Sequence, residues 1–259
     1  MRFFNKNSKV VCVVAVHKRF EVSVETIRLL NAQTHQIEVV VVGAKPERSL
    51  IAKNVDCHFL RFSNDKLGKK WQAGLSFARK LSPDAVMICG SDSWLTRNWV
   101  EKMLPNLNNA DVVGKNIFYT CNAIYNRPLS IIKRTYANNN NLPAGSGRII
   151  SADILNKIDW KMFPPDRNKG LDTACYQTIT AANGVYSVFN DDDEANILGI
   201  KSHWDVITSY SRLKTSKNLR ELKFNEKCES WIERNYPGGV KIIKNLSIIS
   251  HDRLQRNSE

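Results

Sequence analysis

Short apolar runs alternate with segments of helical periodicity along the first hundred residues. Residues 9–16 (KVVCVVAV) and 37–43 (IEVVVVG) are continuous β-branched runs, as expected for strands buried on both faces of a parallel sheet. Residues 56–62 (DCHFLRF) form a weaker run and residues 84–90 (DAVMICG) another clear one. Between them, residues 67–81 place Trp71, Leu75, Ala78 and Leu81 on one helical face. The pattern predicts alternating β-strands and α-helices.

This alternation predicts right-handed crossovers and an α/β fold with a doubly wound sheet. A helix is expected over residues 96–104 and a further strand over residues 111–120. The regularity then weakens: residues 126–150 contain Pro, Gly and an Asn run, which indicates a long connection or hairpin. Residues 211–233 are charged and favour a helix. We therefore expect one domain over residues 1–259 with a helical C-terminal extension.

The composition of the chain says more about its binding partners than about its fold. The 259 residues carry 38 Lys and Arg against 25 Asp and Glu, a formal net charge of +13. This excess favours a polyanionic partner such as nucleic acid, a nucleotide or an anionic membrane surface, although a merely basic protein is an equal alternative. The first apolar run is short and lacks a cleavage site, so we expect no signal peptide, and no segment is long enough to span a bilayer.

The cysteines indicate a compartment. Six are widely spaced, without a CxxC pair or a Cys/His cluster, which argues against structural zinc and disulfides. Several lie in apolar runs, as buried, reduced thiols do. We expect a cytoplasmic protein.

Two carboxylates stand at positions that favour chemistry. The run MICGSDSWL (residues 87–95) ends a predicted strand in a small, accessible turn, where open α/β sheets bind ligands. Asp92 in this turn either caps the following helix or holds a ligand. Asp172 follows Gly170 and Leu171 before the helix-like TACYQTITAA and either caps that helix or acts as a base, with Asp166 in reserve.

In order and spacing, these motifs resemble the GT-A nucleotide-sugar glycosyltransferases, family-2-like members in particular. MICGSDSW stands at the family's DxD-like motif, with Asp92 at its second, metal-holding Asp and Gly90 at the first. NDKLGKKWQAGLSFA is similar to the helix start beside the donor, AGSGRIISADIL to the loop over donor and acceptor, and NKGLDTACYQ to the acidic catalytic motif. The match covers roughly residues 8–205. It implies a GT-A-like doubly wound mixed sheet with a Rossmann-like nucleotide-binding half.

The resemblance implies a division of the chain and a donor. Residues 8–120 would bind the nucleotide sugar, expected to be a UDP-sugar, residues 121–205 would form the acceptor and catalytic half, and residues 206–259 would be the basic helical extension. A divalent metal, Mn²⁺ or Mg²⁺, would be held by Asp92 with His203 as a late ligand, and would stabilise the leaving diphosphate. Asp172 would deprotonate the acceptor, which predicts inversion.

Further residues are expected around the donor. Ser91 and Ser93 would contact the ribose or a metal-bound water. Lys70, near Gly68 at a helix start with Lys66 and Lys69, would favour phosphate. The remaining expected donor contacts are a mobile loop with Gly145, Gly147 and the phosphate-binding Arg148, and the residues that follow the first strand, His17 and Lys18. The plainer interpretation of at least two of the three lysines is a solvated face, and that of the glycine-containing loop is a hairpin turn.

The sequence thus predicts a metal-dependent, inverting hexosyl- or pentosyltransferase. Because the chain is basic, the acceptor is expected to be a hydroxymethylated base in DNA, which must be flipped or single-stranded to react. A surface polysaccharide or glycan is the alternative acceptor. Nucleotidyl transfer is less favoured because AVHKRFEV, after the first strand, has no glycine. The alternative of another class is a nucleic-acid-binding protein with a degenerate, non-catalytic GT-A-like fold.

Overall fold

The computed structural model describes residues 3–136, 142–189, 195–201 and 219–256. The strands in chain order are β1 (Val10–Ala15), β2 (Ile37–Gly43), β3 (His58–Arg61), β4 (Ala85–Gly90), β5 (Ser93–Leu95), β6 (Val112–Gly114), β7 (Ile117–Asn122), β8 (Ile131–Tyr136), β9 (Arg148–Ser151), β10 (Tyr186–Val188), β11 (Ile197–Lys201) and β12 (Leu219–Leu222). The helices are α1 (Phe20–Asn31), α2 (Lys45–Ile51), α3 (Leu67–Lys80), α4 (Trp99–Met103), α5 (Ala152–Lys157), α6 (Leu171–Ala181), α7 (Cys228–Asn235) and α8 (Gly239–Arg256), with a 3-10 helix at Leu104–Asn108.

The larger sheet has the strand order β10-β6-β9-β4-β1-β2-β3. Strand β1 pairs in parallel with β2 and β4, and β2 with β3, whereas β9 runs antiparallel between β4 and β6. Helices cover both faces: α1 and α4 pack on one, and α3, α5 and α6 on the other. The predicted fold class, an α/β doubly wound mixed sheet, is confirmed.

The β-branched run of β1 explains the centre of this sheet. Val10, Cys12 and Val14 enter the core beneath α1 and α4, while Val11 and Val13 enter the core beneath α3. All five are at most 1% exposed. Successive side chains of a strand point to opposite faces, so a continuous apolar run is what a sheet covered on both sides requires.

A smaller sheet, ordered β12-β8-β7-β11-β5, stands beside the first. The C-terminal helices α7 and α8 pack on it through Trp231, Ile232 and Ile243, which meet Trp94 and Tyr119. Residues 202–218 are outside the described part of the chain, so the boundary of the C-terminal extension stays a prediction. Within the described residues, none of the helices combines the length and the apolar character that a membrane crossing demands.

Three predicted elements were wrong in detail. Within residues 211–233, which the sequence predicted to be helical, Leu219–Leu222 form β12 and α7 begins only at Cys228. The single strand expected over residues 111–120 is two strands, because β6 belongs to the larger sheet and β7 to the smaller one, with Lys115 and Asn116 between them. The helix expected over residues 96–104 begins only at Trp99 and continues as the 3-10 helix. The segment Ser93–Leu95, which precedes α4 in the chain, forms β5. This strand belongs to the smaller sheet, where it pairs with β11.

Candidate active site

Asp92 lies in the turn where the chain leaves one sheet for the other. Strand β4 ends at Gly90 and β5 begins at Ser93, so Ser91 and Asp92 alone make the connection. Because α4 begins at Trp99, neither Asp92 nor Ser93 caps it, and the helix-cap interpretation is wrong. The backbone N–H of Ile200 in β11 donates to the Asp92 carbonyl at 2.8 Å, which fixes the turn against the smaller sheet.

The Asp92 carboxylate is buried between two cations. Arg19 Nη1 lies 2.7 Å from Asp92 Oδ2, and the Lys201 ammonium contacts the same oxygen. Burial raises the pKa of Asp92, but the charges of Lys201 and Arg19 outweigh that effect and hold the pKa well below its usual range. Asp92 is therefore an anion at neutral pH, and both of its charged neighbours come from parts of the chain remote in sequence.

Arg19 reaches Asp92 from a strained turn. Lys18 and Arg19, in the turn between β1 and α1, have φ angles of 54° and 45°, in the left-handed region that costs a residue with a Cβ about 1–2 kcal/mol. Arg19 then occupies the N-cap position of α1. Backbone strain of this kind persists where the surrounding structure enforces it, often at functional sites. His17 and Lys18 themselves are exposed.

The loop before β9 is tied to the end of β4. Gly90 N–H donates to Ser146 Oγ at 2.8 Å, Gly147 N–H to the Ile88 carbonyl at 2.7 Å, and Trp99 Nε1 to the Gly147 carbonyl at 2.9 Å. Gly147 has a φ of 82°, and a Cβ there would lie 2.7 Å from the Trp99 ring, so the turn requires glycine. These hydrogen bonds fix the loop that the sequence predicted to be mobile.

Asp172 faces Arg148 across this loop. It lies in the first turn of α6 behind the N-cap residue Gly170, so the N-cap interpretation of Asp172 is wrong. Arg148 Nη2 is 3.1 Å from Asp172 Oδ1; the arginine side chain is 1% exposed and the aspartate 52%. A Cβ on Gly145 would lie 2.4–2.5 Å from the Asp172 carboxylate, so that carboxylate rests directly on the Gly145 backbone.

Two cavities meet at Asp172. The first, of about 460 Å³, extends from Asp92 to Asp172 and also contains Lys201, Arg148 and Lys169 among its lining residues. The second, of about 730 Å³, lies along α6. Gly170, Leu171 and Asp172 belong to both linings. The half-exposed carboxylate of Asp172 is thus accessible from either side, and we call the two spaces the Asp92 cavity and the α6 cavity.

The other predicted donor residues are distributed unevenly. Ser93, Gly145 and Arg148 line the Asp92 cavity, whereas the carbonyl of buried Ser91 accepts a hydrogen bond from Thr26. The ammonium of Lys70 is buried and donates to the Val16 carbonyl and to Asn64. The start of α3 is covered by protein, since the N–H groups of Leu67 and Gly68 donate to Asn168 Oδ1 and the Arg167 carbonyl. His203 lies outside the described residues.

Sequence reasoning missed three residues of this site, and two of them, Arg19 and Lys201, carried no signal in the sequence. Lys201 is 109 residues from Asp92 and meets it only because β11 pairs with β5 in the smaller sheet. Arg19 is 73 residues away. Ser146 lies within the glycine-containing loop that the sequence did single out, and a search of that loop for hydrogen-bonding side chains would have found it.

Among the residues that the structure describes, those around Asp92 do not fit a divalent cation. Asp92 Oδ2 already contacts two positive groups. At the place of a second carboxylate, a Cβ on Gly90 would lie 2.8 Å from Ser93 Oγ and 3.2 Å from Asp92 Oδ1. Within the described ranges, no group of three or more His, Cys, Asp or Glu side chains is placed to hold a metal. Hard cations require several oxygen ligands, which this turn does not offer.

Comparison with known proteins gave no family and no curated relative: no family model and no curated protein matches the chain. Solved structures of S. aureus TarS 1-349 are similar, at 14% identity and a TM-score of 0.49 without ligand, and at 15% and 0.47 in complex with UDP. Each match covers 74% of this chain and 60% of the TarS chain. The function of the protein is therefore inferred from the two cavities and the side chains that line them.

Proposed function

We propose that this protein is a glycosyltransferase that moves a sugar from a nucleotide-sugar donor to an acceptor hydroxyl. The observation that carries the proposal is the convergence of Asp92 and Asp172, with their cationic partners, on one cavity at the carboxyl end of β4. In open α/β sheets, ligands bind at that edge. Among the described residues, three cations and two carboxylates line the cavity, and Arg19 adds a further positive charge beside it. This excess suits a diphosphate leaving group, which gains negative charge as its bond to the sugar breaks.

Asp172 is the general base in this proposal. The donor occupies the Asp92 cavity and the acceptor the α6 cavity, which places Asp172 between them. The acceptor oxygen attacks the anomeric carbon while Asp172 takes its proton, and the bond from that carbon to the diphosphate oxygen breaks. Arg148 orients the carboxylate through Oδ1. A single displacement of this kind inverts the configuration of the anomeric carbon.

The lining of the α6 cavity favours a neutral acceptor. It presents the side chains of Thr173, Gln177 and Thr180, and Asp172 is the one charged residue among its described lining residues. Hydroxyl and amide groups recognise sugar hydroxyls or a hydroxymethylated base equally well. The acceptor is therefore a neutral hydroxylated group, either of a glycan or of a base displaced from DNA.

Release of nucleotide from a panel of UDP-, GDP- and dTDP-sugars, with a hydroxymethylcytosine oligonucleotide or oligosaccharides as acceptors, tests the proposal. We expect turnover with one donor class, and we expect Asp172→Asn to lower kcat about 100-fold or more because the base is lost. Asp153→Asn is the matched control, since Asp153 also lies in the first turn of a helix, α5, but away from both cavities.

Two outcomes contradict this assignment. If no donor is hydrolysed or transferred under any condition, the protein is a binding module, as the non-catalytic alternative holds. If Asp172→Asn and Asp153→Asn retain equal activity, Asp172 is not the base.

A further inference from the structure

We infer that the cations around Asp92 bind the donor diphosphate in place of a divalent metal, so that the proposed transfer runs without one. The inference rests on the proposed function and deepens it: Lys201 and Arg148 bind phosphate oxygens, and Asp92 positions Lys201 and Arg19 rather than ligating a metal. None of these roles for Lys201, Arg19 and Asp92 is visible in the sequence.

The Asp92 carboxylate already has two cationic partners. Arg19 and Lys201 both contact Oδ2, and the three side chains are largely buried, 21%, 14% and 9% exposed for Arg19, Lys201 and Asp92. A divalent cation on this oxygen would lie next to two positive groups with little water to screen them, which is strongly repulsive. Oδ2 is therefore occupied by the two cations, and a metal on Oδ1 would lie beside the same two positive charges.

The Lys201 ammonium can donate more hydrogen bonds than its contact with Asp92 uses. An ammonium has three N–H donors, and the contact with Asp92 Oδ2 uses one. Lys201 also lines the Asp92 cavity, so the ammonium lies at the wall where a diphosphate would lie. Fixed by Asp92, it needs no rearrangement to meet developing charge, which is the condition under which such donors lower a barrier most.

Arg148 places buried guanidinium nitrogen atoms at the wall of the same cavity. Its guanidinium lies 5.5 Å from the Tyr176 ring centre and pairs with Asp172 through Nη2, while Nε and Nη1 are buried without a hydrogen-bond acceptor among the described residues at the wall of the Asp92 cavity. Buried guanidinium groups without acceptors are costly, and phosphate oxygens satisfy them well. Arg148 and Lys201 line the same cavity, together with Gly145, Ser146 and Gly90, whose small size leaves space between them.

Gly90 lies where the resemblance to the GT-A enzymes would place a second metal-binding carboxylate. In a two-carboxylate metal site this residue would be acidic, but a Cβ would crowd both Ser93 Oγ and Asp92 Oδ1. Gly90 N–H instead donates to Ser146 Oγ, which fastens the loop that leads to Arg148. The same glycine thus removes a metal ligand and helps to place a cation.

Calorimetric titration of the full chain with inorganic diphosphate in EDTA tests the cation site without a choice of nucleotide. We expect wild type to bind, Lys201→Met to bind at least about tenfold more weakly, and Lys201→Arg to keep most of the affinity because the charge is kept. Lys244→Met is the matched control: Lys244 also pairs with a carboxylate, Glu229 at 2.8 Å, but on the exposed surface. Diphosphate binding that is absent in EDTA, or equal in Lys201→Met and wild type, overturns the inference.

Mn²⁺ alone, followed by electron paramagnetic resonance, tests the role of Asp92 independently of binding strength for phosphate. We expect wild type and Asp92→Asn to bind equally little Mn²⁺. Tight Mn²⁺ binding by wild type that Asp92→Asn abolishes, while the circular dichroism spectrum and melting temperature of the variant match those of wild type, would show that Asp92 is a metal ligand and would overturn the inference.

The donor panel run in EDTA separates the two proposals. Transfer in EDTA, unchanged by added Mn²⁺, supports both. Transfer that requires Mn²⁺ upholds the glycosyltransferase and overturns the metal-free mechanism. With no transfer under any condition, the proposed function fails, and the diphosphate and Mn²⁺ titrations still decide whether the cations form an anion site.

Discussion

Asp92 and Asp172 differ in how much of each carboxylate its cationic partners leave accessible. Two cations contact the Asp92 side chain, which is 9% exposed, whereas one contacts Asp172, which is 52% exposed. A buried anion between two cations is fixed in place, because removing any partner leaves an uncompensated charge. A half-exposed anion with one oriented oxygen can accept a proton from a second molecule. At the scale of single residues, the site therefore contains one carboxylate held by two cations and one accessible carboxylate, which is the base in our proposal.

Gly145 provides the sharpest test of the reactive carboxylate. Gly145→Ala would place a methyl group within 2.5 Å of the Asp172 carboxylate, so the carboxylate must move by about an ångström. We expect kcat to fall about 100-fold, as for small misplacements of catalytic groups, while the melting temperature changes little. Gly199→Ala is the control, because its Cβ would meet no atom closer than 3.7 Å. Equal activity of Gly145→Ala and wild type would contradict the role of Asp172.

Individual strands and turns determine where the charged residues of the site lie. The turn between β1 and α1 directs Arg19 towards Asp92, and β11 brings Lys201 to the same oxygen. Strand β9 lies antiparallel between β4 and β6 and begins with Arg148. The sequence predicted only a connection or hairpin over residues 126–150, because β9 has four residues and its pairing partners are remote in the chain. Short strands depend on their neighbours more than on their own pattern.

The strained β1–α1 turn makes a prediction about stability. Lys18→Gly removes the steric cost of a left-handed residue that has a Cβ, so we expect the free energy of unfolding to rise by about 0.5–1 kcal/mol despite the greater freedom of glycine in the unfolded chain. Lys157→Gly, at the end of α5, is the control and should destabilise by up to about 1 kcal/mol. Urea unfolding followed by circular dichroism measures both. A loss of stability in Lys18→Gly would show that the Lys18 side chain offsets the strain.

At the scale of the whole molecule, the Asp92 cavity lies where two sheets meet. The larger sheet contributes β4 and the loop before β9, and the smaller one contributes Lys201 through β11. Helix α6 closes the other side with Asp172. The net charge of +13 belongs to the same scale, because it concerns the field around the protein rather than any contact. A field of this sign favours binding to polyanions.

The charge leads to a prediction about DNA. If the acceptor is a hydroxymethylated base, we expect the protein to bind a fluorescent duplex at 50 mM salt, with affinity about 10³-fold lower at 200 mM, as phosphate contacts made by several Lys and Arg side chains require. Fluorescence anisotropy measures this dependence. No binding at 50 mM salt would leave the glycan as the acceptor, consistent with the neutral lining of the α6 cavity.

The sequence by itself determined the α/β sheet, because long β-branched runs such as β1 and β2 report burial on both faces without help from other parts of the chain. It also drew attention to Asp92 and Asp172, since small residues and glycine next to a carboxylate are local features. Only the tertiary structure decided what these carboxylates contact. Arg19, Lys201 and Arg148 reach them through strand pairings and a left-handed turn, and such long-range pairings leave no periodic pattern in the chain. The charge balance of the site, and with it our metal-free proposal, therefore depended on the fold.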